Sequence, residues 1–214
     1  MDFLAIGEKI RELRKLLGLT QKDVANGICT QAQISKIENG DVDPYGSTLY
    51  QISQRLGVDV NYFFDIGSTP RLDYVKEVSR QLMIARRNVN YEEMKQLVEN
   101  EEDNPLFTQN RKNLQLLLWH KGIYEYELSR NSSNAFHYLD DAIALTHSKH
   151  WTEREIEILI SKGVILFEEG KLEEALAIYS PAKEHLGILP YLQDETIISR
   201  LYYNTARTLT RLKQ

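Results

Sequence analysis

The chain has 214 residues, a net charge of −5, 42% apolar and 27% charged residues, and one cysteine. That balance describes one or two folded domains and excludes a disulfide-stapled scaffold, and no apolar run approaches the roughly 20 residues of a membrane-spanning helix. The opening MDFLAIGEKIRELRKL mixes charge with apolar residues at helical spacing, unlike a secretory signal, and the single thiol of Cys29 suits a reducing compartment, so a cytoplasmic protein is expected.

Residues 4 to 17 read as an amphipathic helix with Ile6, Ile10, Leu13 and Leu17 inward, ended by Gly18. Thr20 caps a short second helix running to Asn26, with Asp23 placed to complement its positive end and Gly27 to stop it. Thr30 caps a third helix that runs to Asn39 and stops at Gly40. Asp41 to Gly46 is a loop rich in turn formers. A fourth helix begins at Ser47 or Thr48, turns Leu49, Ile52 and Leu56 inward, and closes at Gly57. VDVNYFF makes a short fifth helix that covers the core with Val60 and an aromatic pair. Gly67, Ser68, Thr69 and Pro70 have linker composition, which sets the expected domains at 1–66 and 72–214 with a linker at 67–71.

From Leu72 onward the pattern is helical throughout, so the whole chain is expected to be all-α. The expected segments are 72–88, 91–102, 106–129, 133–147, 152–168, 172–185 and 193 to the end. They fall in pairs with short connectors. Trp119, Gly122, Ile123 and Tyr126 precede Ala135, Leu139 and Ala142. Leu159, Gly163 and Leu166 precede Gly170, Ala175, Tyr179 and Ala182. Ile123 to Ala135 and Gly163 to Ala175 are both twelve residues, and the period is near forty. With EGKLEEALAIY as its most specific stretch, this resembles a degenerate tetratricopeptide array, in which small residues let helices cross closely. Tyr202, Ala206 and Leu209 match the first helix of a further repeat. The chain stops at Gln214 without the second helix, so an incomplete array is expected.

On the third helix Ile34 and Ile37 share one face, which turns Ala32, Ser35 and Lys36 outward with Gln31 and Gln33 beside them. Amides, a hydroxyl, a lysine and a small apolar residue are the groups that read base edges: Gln pairs with adenine, Lys with guanine, and Ala or a Thr methyl touches the thymine methyl. LTQKDVANGI-TQAQISKIENG, with LRKLLG before it and YQISQRLGV after it, resembles the phage-repressor (Cro/CI, Xre) helix-turn-helix over residues 4 to 64. The resemblance implies a five-helix head in which Gln21 anchors on phosphate and Gln31, Ala32, Gln33, Ser35 and Lys36 face the major groove. Thr30 and Lys22 complete the expected DNA-contacting set. The resemblance also pairs Arg14 with Glu38, and both lie at the inner edge of an apolar face, where an unpaired charge is costly. Residues 1–66 hold seven Lys or Arg against nine Asp or Glu, a net −2. Non-specific DNA affinity is therefore expected to be weak, and binding is expected to rest on a two-fold homodimer and on the placement of Gln21, Lys22 and Lys36.

A repressor-type head followed by degenerate tetratricopeptide pairs resembles the peptide-pheromone-sensing regulators of Gram-positive bacteria (the PlcR, NprR and Rgg group). LTQKDVANGICTQAQISKIENG and YNTARTL carry that resemblance most closely. It implies a transcriptional regulator whose repeat domain dimerises and binds a short signalling peptide. Asn204, in YYNTARTL, holds the position from which an amide meets a peptide backbone. Arg200 and Arg207 are candidates for a peptide carboxylate, with Arg211 nearby. The alternative is a ligand-independent phage-type repressor whose repeats serve only for dimerisation or docking.

No phosphate-cradling glycine loop, nucleophile elbow or Cys–His pairing is present, so no enzyme, cofactor or metal is expected. His147 and His150 form an HxxH without further ligands. Glu92, Glu93, Glu101, Glu102 and Asp103 are read as solvated carboxylates.

Overall fold

A computed structural model describes residues 1–213, and among them all regular structure is α-helical. Two compact units are separated between residues 76 and 77. The first contains α1 (Phe3–Leu16), α2 (Gln21–Ala25), α3 (Gln31–Glu38), α4 (Gly46–Leu56), α5 (Val60–Ser68) and the start of α6 (Leu72–Arg87). Its helices begin where the side chains offer caps. The Thr20 hydroxyl accepts from the Asp23 amide while the Asp23 carboxylate accepts from the Thr20 amide, a complete capping box. The Thr30 hydroxyl accepts from the Gln33 amide, 3.1 Å away. Between these helices Gly27 sits at φ 71°, a conformation that costs glycine nothing and lets the chain turn within the five residues 26–30.

Ile6, Ile10, Val24, Ile34, Ile37, Leu49, Ile52 and Phe63 form the core of this unit, each at most 1% exposed. Gly7 is required where α1 meets α3: a Cβ there would collide with the Ile37 carbonyl oxygen. Leu17, expected inward, is 51% exposed, because α1 ends at Leu16 and the chain turns away at Gly18 (φ 69°). Gly67 and Ser68, expected in a linker, instead close α5. Gly67 is buried against Ile6 and Met1, and its carbonyl accepts from the Asp2 amide at 2.6 Å.

The second unit holds the remainder of α6 and α7 (Tyr91–Glu101), α8 (Pro105–Thr108), α9 (Arg111–Ser129), α10 (Ser132–Thr146), α11 (Glu153–Glu168), α12 (Leu172–Gly187) and α13 (Thr196–Leu212). The expected helix 106–129 is two helices. Asn104 caps α8 with Pro105 at its first position, and the Asn110 side chain accepts from the Lys112 and Asn113 amides to start α9 afresh. Glu101, expected to be solvated, is 5% exposed and its carboxylate accepts from the Asn104 amide group at 2.6 Å.

Helices α9 and α10, and α11 and α12, are antiparallel pairs built as the small residues require. A Cβ on Gly122 would lie 2.7 Å from Leu139 and 3.0 Å from the Ala135 carbonyl oxygen, and one on Gly163 would enter the Tyr179 ring. Successive pairs are held in one register. Arg154 donates to the Lys112 carbonyl (2.8 Å) and the Trp119 indole N–H to the Ser161 hydroxyl (2.9 Å), both across 42 residues. Equal offsets at two points mean that α9 and α11 run side by side in the same direction. Gln214, at the expected end of the array, lies outside the described residues.

Candidate functional site

In the first unit, α3 presents the sequence-predicted face. Ile34, Ile37 and Glu38 are buried, Thr30, Gln31, Ala32 and Lys36 are exposed, and Gln33 and Ser35 are half-buried at the edge of the face. Lys22, on α2, is also exposed. Behind this face lies a polar relay. Arg14 grips Glu38 with two parallel bonds, Nε to Oε1 at 2.6 Å and Nη2 to Oε2 at 2.9 Å, and its Nη1 donates to the Leu19 carbonyl. The Gln21 amide donates to Glu38 Oε2 (2.9 Å), and Gln21 Oε1 accepts from the Gln31 amide (2.6 Å). The buried ion pair is thus linked, through Gln21, to the first residue of α3.

Burial pushes the Glu38 carboxyl up. The hydrogen bonds from Arg14 and Gln21 and the charges of Arg14 and Arg11 outweigh that and hold it below its ordinary value. Glu38 therefore stays ionised while wholly buried, with its charge compensated on two sides. A further positioning residue, Arg55, escaped the sequence reading. Its guanidinium donates to the carbonyls of Asp23 (2.7 Å), Val24 (3.3 Å) and Asn26 (2.6 Å) and so closes the C-terminal end of α2. Cys29 is half-buried in the turn before α3, with its thiol raised by burial.

The second unit contains a cavity of about 450 Å³ enclosed by α6, α7, α9, α11 and α13. Ile123, Ile160, Val164 and Ile165 supply its apolar surface, and Asn204 and Arg200 line it from α13. Asn204 is 8% exposed and uses one N–H on the Arg200 carbonyl (2.8 Å). Arg207 is not among the lining residues: its guanidinium stacks on Phe167, 4.1 Å from the ring centroid, beside Glu168 at 3.8 Å. Arg211 lies 5.1 Å from the centroid of the same ring and donates to the Phe167 carbonyl.

Of the charges that dominate the cavity, Arg200 was expected from the sequence, and Arg86, Arg87, Glu157 and Asp194 were not. Glu157, on α11, is bridged by Arg86 (3.2 Å) and by Arg200, and Asp194 lies 3.5 Å from Arg200 and 3.6 Å from Arg87. Arg86 also stacks over Trp119 at 4.3 Å. Glu127 lines the cavity from α9, its carboxyl raised by burial, and the Tyr91 hydroxyl is hydrogen-bonded to it. His147 packs against Trp151 with the rings tilted by 43° and faces Glu155 at 3.4 Å. No group of three or more potential metal ligands occurs among the described residues.

Residues 10–63 match the helix-turn-helix family HTH_3, and this segment is a domain of that family. No curated protein matches the chain by sequence. By structure, the chain is similar to Bacillus thuringiensis PlcR, solved in complex with the peptide PapR7 and DNA. The TM-score is 0.90 at 22% identity, over 98% of this chain and 74% of that one. It is also similar to the SHP pheromone receptor Rgg2 of Streptococcus dysgalactiae, with a TM-score of 0.52 at 14% identity, over 97% of this chain and 76% of that one. The all-helical architecture of a helix-turn-helix unit followed by a helical array is that of these structures.

Proposed function

We propose that the chain is a sequence-specific DNA-binding transcriptional regulator whose helical array takes up a short signalling peptide. The head lies within residues 1–66 and the sensor begins at residue 72. The observation that carries the reading is the pairing, in one chain, of an exposed base-reading face on α3 with a cavity in the array lined by an amide, arginines and an apolar surface. The fold shared with PlcR, a chain solved with both a peptide and DNA, supports the same two classes of ligand here.

Gln31, Ala32, Gln33, Ser35 and Lys36, with Thr30 at the entry, read base edges, while Gln21 and Lys22 meet phosphate. The relay from Arg14 through Glu38 and Gln21 to Gln31 fixes the first of these side chains before DNA arrives, so less ordering entropy is lost on binding. The protein acts as a cytoplasmic homodimer, which places two heads on half-sites about one DNA turn apart. No membrane and no catalytic chemistry enter this reading; among the described residues no helix is long and apolar enough to cross a membrane.

For the sensor, Asn204 and Arg200 hold the ligand from α13. Arg207 contributes by fixing Phe167 behind them rather than by contact. Thermal unfolding with and without pools of five- to ten-residue peptides tests this. A ligand at a hundred times its dissociation constant adds about 2.7 kcal/mol, which is about 5–10 °C for a chain of this size. A shift from one peptide supports the sensor. A flat response to every pool refutes it and leaves a ligand-independent repressor with the array as a dimerisation scaffold.

A further inference from the structure

The cavity in the array has two ends of opposite charge. At the start of α11, Arg86, Arg87 and Arg200 face two carboxylates, Glu157 and Asp194, so one positive charge is in excess. The Arg200 Nε is buried and has no hydrogen-bond partner among the described residues. That N–H has essentially no accessible area and so does not face the cavity; the excess charge meets a ligand through the exposed parts of Arg87 (57%) and Arg200 (34%). Glu157, itself only 9% exposed, is already shared between Arg86 and Arg200 and cannot saturate both.

The other end is acidic. The 42-residue register between α9 and α11 sets Glu127 level with residue 169, twelve residues beyond Glu157 along α11. Twelve residues of helix are about 18 Å. Among the described residues Glu127 is the carboxylate lining that end, with the charge of Glu168 close enough to act on it. Its ion pair with Arg130 is 3.4 Å long but is made by a side chain 62% exposed, and such pairs contribute little. Tyr91 stands beside it as a hydrogen-bonding neighbour. Between the two ends lie Ile123, Ile160, Val164 and Ile165. An extended chain advances about 3.3 Å per residue, so about five residues cover the distance.

We propose that the cavity orients its peptide by charge: the ligand's ammonium group sits at Glu127 and its carboxylate at Arg87 and Arg200, with apolar side chains between. This rests on the peptide-sensing reading above and adds to it the direction and end chemistry of the ligand.

The test uses the full chain and synthetic pentapeptides with Leu, Ile or Phe at the three central positions. Each peptide is made in four forms: both ends free, N-acetylated, C-amidated, and blocked at both. Binding is read by tryptophan fluorescence, since Trp119 lies beneath Arg86 and is bonded to Ser161 in the cavity wall. The free form is expected to bind tightest, with each block weakening it at least tenfold. Glu127→Gln is expected to abolish the penalty for acetylation and keep that for amidation. Arg87→Gln, at a side chain 57% exposed and therefore safe for the fold, is expected to do the reverse. An amidated peptide ending in glutamate separates the two sources of a carboxylate: rescue means that the charge is read wherever it is carried, and no rescue means that the chain end is read. Equal binding of all four forms, or penalties assigned to the opposite variants, overturns the orientation while leaving a peptide sensor. Binding of no pentapeptide in any form overturns the five-residue, end-charged ligand proposed here, whereas the sensor itself falls only with a flat response to the five- to ten-residue pools.

Discussion

Replacing Arg14 by alanine strips Glu38 of both its Arg14 bonds, 2.6 and 2.9 Å, and leaves a carboxylate with no solvent exposure. Removing one partner of a buried ion pair costs about 3–5 kcal/mol. Here the low end applies, because the Gln21 amide at 2.9 Å and the Arg11 guanidinium at 3.5 Å remain in place. Both tryptophans lie in the second unit, so the first unit is best followed by hydrogen exchange on the amides of Ile34 and Ile37, which sit in its core. A loss of about 3 kcal/mol speeds their exchange by roughly two orders of magnitude. The double variant Arg14→Leu, Glu38→Met removes both charges and is expected to recover much of the loss, since an apolar pair needs no compensation. Exchange accelerated less than tenfold in the single variant would refute the reasoning. So would a double variant less stable than the single one.

Lys36→Ala and Gln31→Ala are each expected to cost about 1–3 kcal/mol of specific DNA binding; both footprinting like the wild type would remove α3 from the interface. Gly163→Ala drives a methyl into the Tyr179 ring, which is 1% exposed, and should destabilise the second unit by about 1–3 kcal/mol in tryptophan-monitored urea unfolding. Asp23 and Glu38 both have carboxyls held below their ordinary values, Asp23 by the Thr20 hydroxyl and amide and Glu38 against its burial by Arg14 and Gln21. Depressed carboxyls stabilise the fold above their unfolded pKa of about 4 and lose that contribution as pH falls through the lower folded values, so protection in the first unit, measured as exchange relative to the intrinsic base-catalysed rate, should fall below about pH 4 while remaining steady from pH 5 to 7. Arg55→Ala leaves three carbonyls at the end of α2 without their donor and is expected to loosen the α2–α3 turn, raising exchange at Ile28 and Cys29 before the rest of the unit.

The head was readable in the sequence because its signals are local. Thr20 and Thr30 cap helices within three residues of themselves, Gly27 and Gly57 take left-handed exits, and Ile34 and Ile37 declare the inner face of α3. The repeat pairs were readable from Gly122 and Gly163 for a related reason: a small residue at fixed spacing marks a close crossing, and Leu139 and Tyr179 fill those crossings. The cavity was only partly readable. Asn204 and Arg200 line it from α13 as the motif suggested, but Arg86 and Glu157 come together across 71 residues and Glu157 and Arg200 across 43, and nothing in the neighbourhoods of Arg86 and Glu157 distinguishes those two from charges on a solvated face. Arg207 misled for the opposite reason. It shares a helix face with Arg200 and Asn204, but Phe167 captures its guanidinium before it reaches the cavity. The break at Asn110 is a competition between a helical pattern and an asparagine that caps two amides, and the asparagine wins.

The central claim is that α3 reads DNA on behalf of a two-fold assembly. Selection of bound duplexes from a random pool by the full chain tests it most directly. Enrichment of a palindrome with half-sites about one helical turn apart is expected, lost in Lys36→Ala and weakened steeply by salt. Enrichment of no sequence, or of a site that Lys36→Ala retains unchanged, would contradict it.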